Sequence, residues 1–283
     1  MNKILTITLS TQRRRITLGS GSQYKILSHS GFDAADFDIG MMSSGYIDGG
    51  YISRARIDSR NLEISTDTGI YDIETARALF VRLFRPDEDI TVDIDRCGVK
   101  RTITGRCSGI SVTESNMYTA NVADISILCP QPYLNGIDSY GKNIASVKPM
   151  IVFPFTIPPS GAIAGIRAAD TNVSLTNAGD VPCGLRVVIK ATGEVINPSV
   201  INNNTGEYVK VIQTLHDGDT LEISTIPRHK SVVLNGINSI QNTDRASVFF
   251  SLSEGENSIS YLADEGYGNM DVYVYYTPQY LGV

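Results

Sequence analysis

The sequence predicts a mainly β protein: an α+β first domain followed by an all-β second domain built as an antiparallel sandwich. Three observations carry this. Only one segment has helical periodicity. Short alternating runs recur along the chain, separated by Asp-Gly, Asn-Gly and Glu-Gly turns. Of 283 residues only 19% are charged, while 25 are glycine, the balance of a turn-rich β protein. That length fits one large or two ordinary domains, each able to bury a core.

The elements follow in order. Ile4 to Leu9 alternates with threonine and reads as a strand, because it is too short and too polar for a signal-peptide core. Arg13, Arg14 and Arg15 read as a solvated strand end or a salt-bridge group. The stretch from Gly19 to Gly50 is rich in Gly, Ser and Asp and weakly periodic. It reads as a long loop, the kind that is usually functional or disordered. Asp72 is placed to cap a helix over IETARALFVRLF. Ile73, Ala76, Phe80 and Leu83 share one face, Arg77 and Arg82 lie off it, and Arg85-Pro86 ends it. That apolar stripe reads as core packing. DITVDID and KRTITGR form a hairpin around Cys97-Gly98-Val99, and NVADISILC follows with Ala123, Ile125 and Ile127 on one face.

The prolines of CPQPYLNG mark a break. The expected domains are residues 1–133 and 134–283. Beyond the break the predicted strands are GLRVVIK, EYVKVIQTL, DTLEIST, KSVVLN, ASVFFSL, NSISYL and MDVYVYY, which is the pattern of an antiparallel sandwich.

HDGDTLEIST packs one histidine and three acids into ten residues. His216, Asp217, Asp219 and Glu222 have the residue types of a metal site or a His–Asp pair. However, the spacing fails the calcium-loop pattern, and no Gly-x-Ser-x-Gly, His-Glu-x-x-His or phosphate loop occurs. Asp217-Gly218 between alternating runs predicts a hairpin tip instead. In that register His216 pairs with Asp219, Thr214 faces Leu221 and Ile212 faces Ile223. His29 and His229 begin no motif. Cys97, Cys107, Cys129 and Cys183 lack zinc-site spacing. Cys97 and Cys107 stand at a spacing that a hairpin can set face to face, but reduced thiols are expected of a chain made in the cytoplasm. No catalytic residue, metal ligand or cofactor site is assigned, and the chain is read as a non-enzyme. The net charge of −6 implies neither nucleic-acid nor membrane binding, and no apolar run approaches the roughly 20 residues of a membrane span. Tyrosine is abundant, with 14, and Tyr261, Tyr267, Tyr273, Tyr275, Tyr276 and Tyr280 crowd the C-terminus, where they read as packing or contact residues.

Many short matches resemble one family. NPSVINNNTGEYVKVIQTLHDGDTLEISTIPRHKSVVLNGINS, with the endings FFSLSEGENSISY and VYVYYTPQYLGV, resembles the C-terminal domain of phage distal tail proteins, the siphophage-type tail components. RARIDSRNLEIS, the helix ETARALFVRLFRP, the pair DITVDIDRCGVKRTITGRCSGI and the exit ISILCPQPYL resemble the N-terminal domain. The resemblance implies a structural virion protein of the tail tip or baseplate hub, assembled in the host cytoplasm. It implies a homo-oligomeric ring, usually a hexamer. The N-terminal split β-barrel with one helix makes the ring, often with an extended hairpin that embraces a neighbour. A galectin-like sandwich projects outward. Its implied partners are other copies of the chain, the tail tube protein, a tail-associated hub protein and receptor-binding proteins, with DNA only passing through the bore. Gly19 to Gly50 is the candidate contact between subunits. The chain has no Trp and no His-x-Asn-x-Arg strand, so a galectin-like fold here does not imply galectin-like binding. The alternative function is a carbohydrate-binding adhesion module that holds the host cell wall through the second domain, with Tyr267 and Tyr280 as candidate platforms.

Overall fold

The structure is a computed structural model and describes residues 5–43, 45–46, 48–70, 72–85, 87–113, 121–137, 140–143, 147–149, 165–167 and 172–283. The chain divides into two units: Met1–Ile137 with Gln279–Val283, and Asp138–Pro278.

The first unit contains β1 (Leu5–Ser10), β2 (Arg15–Gly19), β3 (Lys25–Ser30), β4 (Phe37–Ser43), β5 (Gly50–Ile57), β6 (Arg60–Asp67), α1 (Ile73–Leu83), β7 (Ile90–Arg96), β8 (Val99–Thr113), β9 (Val122–Cys129) and β10 (Leu134–Gly136). One antiparallel sheet runs in the order β2-β1-β7-β8-β9-β6-β3 and curls around its own apolar face. Alternation puts Ile7, Leu9, Leu18, Leu62, Ile64, Val92, Ile94, Ile103, Ile125 and Ile127 inside, as period-two strands with one buried face require. Helix α1 adds Ala76 and Phe80 to this core. Asp72 caps it, its side chain accepting from the Thr75 backbone N–H. The helix thus lies where its capping residue and apolar stripe predict. The Leu83 side chain lies outside the described residues.

Strand β8 spans 15 residues, longer than the run read from sequence. Its first part pairs with β7 and its second with β9, with a register shift between Cys107 and Gly109. Where the pairing passes from β7 to β9, a Cβ on Gly105 would sit 2.7 Å from both Cys129 Sγ and the Leu128 carbonyl, so only glycine fits there. Cys97 and Gly98 both have positive φ, at 55° and 91°. They make the two-residue loop that joins β7 to β8 with matching twist. Cys97 therefore sits at the tip while Cys107 is opposite Ile127, and the two do not face each other.

The second unit contains β11 (Tyr140–Asn143), β12 (Val147–Pro149), β13 (Gly165–Arg167), β14 (Asn172–Asn177), β15 (Leu185–Ala191), β16 (Val195–Ile196), β17 (Ser199–Asn202), β18 (Tyr208–Lys210), β19 (Thr214–Leu215), β20 (Thr220–Ser224), β21 (Ser231–Leu234), β22 (Ile237–Asn238), β23 (Gly255–Leu262) and β24 (Met270–Tyr276). A sheet ordered β11-β24-β15-β20-β21-β22 and another ordered β14-β23-β17-β18 share one apolar core. Val187, Ile189, Ile223 and Val274 enter it from the first sheet; Leu175, Val200, Val209 and Ile259 enter from the second. This is a sandwich.

Two strand expectations are corrected here. The run 207–215 is not one strand. It splits into β18, paired with β17, and β19, paired with β16. The run 246–252 forms no ladder: its backbone meets its neighbours at the isolated Cys183–Leu252 bridge and at the Val248 N–H, which donates to the Tyr208 carbonyl at 2.8 Å. It alternates because Phe250 and Leu252 plug the core, which burial alone can impose without pairing.

The chain ends in β25 (Gln279–Tyr280), which pairs with β10 in the first unit.

Candidate interaction surface

The stretch from Gly19 to Gly50 is not a structureless loop. It holds β3 and β4 and reaches the start of β5. Among the described residues, strands β4 and β5 pair only with each other, as a two-stranded ribbon. Its register opposes Phe37 to Ile57, Ile39 to Ala55 and Met41 to Ile52. It also opposes Asp38 to Arg56, Gly40 to Arg54 and Met42 to Tyr51, with Ser53 accommodated at a bulge. Side chains alternate across a ribbon, so the first set forms one face and the second set the other. The first face is wholly apolar. The second is ionic: Asp38 accepts from Arg54 and Arg56, each at 2.8 Å, and the Tyr51 hydroxyl donates to Met42 Sδ at 3.4 Å nearer the tip. These contacts draw the Asp38 pKa below the usual carboxylate range, the Arg56 hydrogen bond most and the Arg54 bond next.

The apolar face is bare. Met41 is 72% exposed, Ile52 67%, Phe37 62% and Ile39 60%, and Tyr46 at the tip is 99% exposed. Covering one side chain of this size gains about 2 kcal/mol. An isolated two-stranded ribbon is marginal by itself, and its open edges invite another chain. The ribbon has the chemistry of an element completed by a partner. Sequence reading named the segment but missed its strands. The signal was present in Phe-Asp-Ile-Gly-Met, where apolar residues alternate, but the surrounding glycines and serines masked it.

The other residues singled out in the sequence do different things. His216 to Asp219 is a tight turn closed by the Asp219 N–H on the His216 carbonyl at 3.0 Å. It is not a hairpin tip: β20 runs between β15 and β21, and Ile212 is half exposed and does not face Ile223. The turn carries the chain out of the β16–β19 pair into the larger sheet. Asp219 accepts from the His216 N–H at 2.7 Å and from Asn235 Nδ2 at 2.8 Å. These bonds, the first larger, lower its pKa. Glu222 pairs with Arg186 at 3.3 Å. Among the described residues no group of three or more His, Cys, Asp or Glu could hold a metal ion, and no helix is long and apolar enough to cross a membrane.

Tyr261 and Tyr276 are buried, and the Tyr276 hydroxyl donates to the Thr176 carbonyl at 3.0 Å. On the outer face of the larger sheet, Arg186 lies 4.9 Å over the Tyr275 ring and Lys190 lies 5.6 Å over the Tyr273 ring. Arg101 lies 3.4 Å over Tyr280 in the first unit. These rings present their faces to the chain's own cations; Tyr267 remains half exposed. Arg13, Arg14 and Arg15 are exposed at the β1–β2 turn, and Arg13 pairs with Glu88 at 3.4 Å.

Residues 178–280 match the family model described as the siphovirus-type tail component, C-terminal domain. No curated protein matches. Among solved structures, the chain is similar to the SPP1 Dit protein, described as a paradigm of the hub adsorption apparatus in phages infecting Gram-positive bacteria. The TM-score is 0.70 at 12% identity, covering 97% of this chain and 99% of that one. It is also similar to a chain of the phage P2 baseplate in its activated conformation with Ca, at TM-score 0.56 and 9% identity over 99% and 100% of the two chains. The same baseplate with Sr gives 0.55 and 9% over the same shares. At these identities the likeness is one of fold.

Proposed function

We propose that this chain, a phage distal tail protein carrying a siphovirus-type tail component C-terminal domain, works as a structural ring subunit that joins the tail tube to the tail-tip adsorption apparatus. The single observation that carries the reading is the β4–β5 ribbon with its bare apolar face. In a closed ring each subunit offers one patch to a different patch on the next. The ribbon of one subunit then lies along the first unit of its neighbour and buries Phe37, Ile39, Met41 and Ile52. The ring is a homohexamer, with the tail tube protein on one side and a tail-associated hub protein on the other. Receptor-binding proteins attach through the second, galectin-like unit, and DNA passes through the bore without being held. No reaction is assigned. The adhesion reading has less support: of its two candidate platforms, Tyr280 belongs to the first unit and is stacked against Arg101, which leaves Tyr267 alone, half exposed.

Light scattering and particle imaging of the purified chain, alone and with tail tubes, test the ring. The expected result is one closed stoichiometry, or addition of the chain to tube ends. The double substitution Ile39→Asp with Ile52→Asp should abolish it and leave the far-ultraviolet circular dichroism unchanged. A native chain that stays monomeric and also fails to join tail tubes overturns the proposal.

A further inference from the structure

The turn between β1 and β2 and the end of α1 bring Arg13, Arg14, Arg82 and Arg85 around one concavity of about 380 Å3, with Thr11, Val81 and Glu88 completing its lining. The turn is held by the Thr11 N–H on the Arg14 carbonyl at 2.8 Å and by the Thr11 hydroxyl, which accepts from the Arg14 N–H at 3.2 Å. Charge is unbalanced here. Glu88 pairs with Arg13, and nearby Asp89 is engaged by Arg106 at 2.7 Å. Among the described residues no carboxylate pairs with Arg14, Arg82 or Arg85. The negative end of α1 offsets only about half a charge. Four guanidiniums around one hollow on a chain of net charge −6 therefore amount to more than a solvated charge run.

We infer that the Arg13–Arg14–Arg82–Arg85 concavity is a docking site for an acidic segment of a protein partner. The guanidinium fork matches a carboxylate with two parallel hydrogen bonds, and the half-exposed Val81 supplies an apolar floor for the methylenes of a glutamate. Nucleic acid fits less well. Its phosphates need a basic stripe along the backbone, whereas Asp87, Glu88 and Asp89 follow directly on the chain. The inference does not depend on the ring.

Fluorescence anisotropy of the full chain tests it, with labelled hexaglutamate as probe and hexaglutamine and a thymidine oligonucleotide as comparisons. Hexaglutamate should bind in low salt, more weakly in high salt, and better than either comparison. Arg82→Gln with Arg85→Gln should weaken it by about tenfold, equivalent to about 1.4 kcal/mol, and Arg14→Gln alone should weaken it less. Arg77→Gln, whose guanidinium pairs with Glu74 on α1, should leave it unchanged. All substituted side chains are exposed, and matching circular dichroism checks the fold. No hexaglutamate binding in low salt overturns the inference. So does binding that survives the double substitution, or tighter binding of the oligonucleotide that the same substitution removes.

Discussion

Arg60 Nη2 donates to the carbonyl of Leu281 at 2.5 Å, joining residues 221 positions apart in the chain. The same guanidinium donates from Nε to the Pro132 carbonyl and from Nη1 to the Gly31 carbonyl, each at 2.7 Å. Arg60 is 1% exposed and opens the inward series of β6 that continues with Leu62 and Ile64. Burial draws its pKa down from the usual arginine range. All three partners are backbone carbonyls, so the fork fixes three segments of main chain at one point: the exit of β3, the approach to β10 and the C-terminal tail.

Replacing this arginine should release the tail. Arg60→Met removes one charged donor from three part-buried carbonyls. It should cost about 3 kcal/mol or more of first-unit stability in denaturant unfolding, since each hydrogen bond to a charged group contributes about 1.5–3 kcal/mol. Arg60→Lys should recover only part, because one ammonium cannot span three carbonyls in a plane. Carboxypeptidase should trim both variants faster than the native chain. Gly282→Ala reaches the same end by another route: its Cβ would lie 1.8 Å from the Asp33 carbonyl, so the tail must lift away even with Arg60 in place. Equal trimming of all four proteins would sink the clamp.

The Asp219 carboxylate ties two turns together, the one at His216 and the one at Asn235. Asp219→Ala should lower the melting temperature by about 2–4 °C, the effect of losing a capping-type hydrogen bond in a unit of this size. The drop should be the same with and without a chelator. A loss seen only in metal-containing buffer would restore the metal reading of this stretch.

How far the sequence could be read follows from where burial writes a pattern. Helix α1 was legible because Asp72, the apolar stripe and Arg85-Pro86 agree on start, face and stop. The central strands were legible because one face of each is buried. The β4–β5 ribbon alternates apolar and polar residues over Phe37–Met41, but that run is short, glycines and serines surround it, and neither face is buried in the single chain. Partnering was harder still. Asp217-Gly218 correctly marks a turn, but turn chemistry is local, and it could not say that β20 leaves its sequence neighbour to pair with β15 and β21. Arg60 shows the same limit from the other side: an arginine in an inward position is explained only by carbonyls that the fold brings from distant segments. The arginine concavity likewise needed α1 and the β1–β2 turn in one place before its four cations could be counted together.

The four cysteines should separate by reactivity. No disulfide joins them; Cys97 is exposed at its turn, and Cys129 and Cys183 are buried. Burial pushes the Cys129 and Cys183 thiols up to about 11, and also raises Cys107. The thiolate is the nucleophile, so near pH 8 iodoacetamide should label Cys97 first and Cys107 more slowly. Cys129 and Cys183 should react only after unfolding. Mass spectrometry of a labelling time course reads the order, and early modification of Cys129 would contradict the packed first core.

Asp38 should make the shape of the ribbon depend on pH. Its pKa is lowered in the folded chain by the hydrogen bonds from Arg56 and Arg54. A carboxyl of this kind contributes stability that is fully present above its unfolded value, near pH 4, and is lost as pH falls through the lower folded value. The ionic face should therefore hold from neutral pH down to about pH 4 and loosen below it. The apolar face shares the same backbone, so self-association through Ile39 and Ile52 should weaken over that same acid range. Asp38→Asn removes the carboxylate and should flatten the acid dependence of association, while leaving the weaker residual contact. Light scattering between about pH 3 and pH 7 of the native and Asp38→Asn chains makes the comparison. The link between the two faces fails if the variant keeps the native acid dependence.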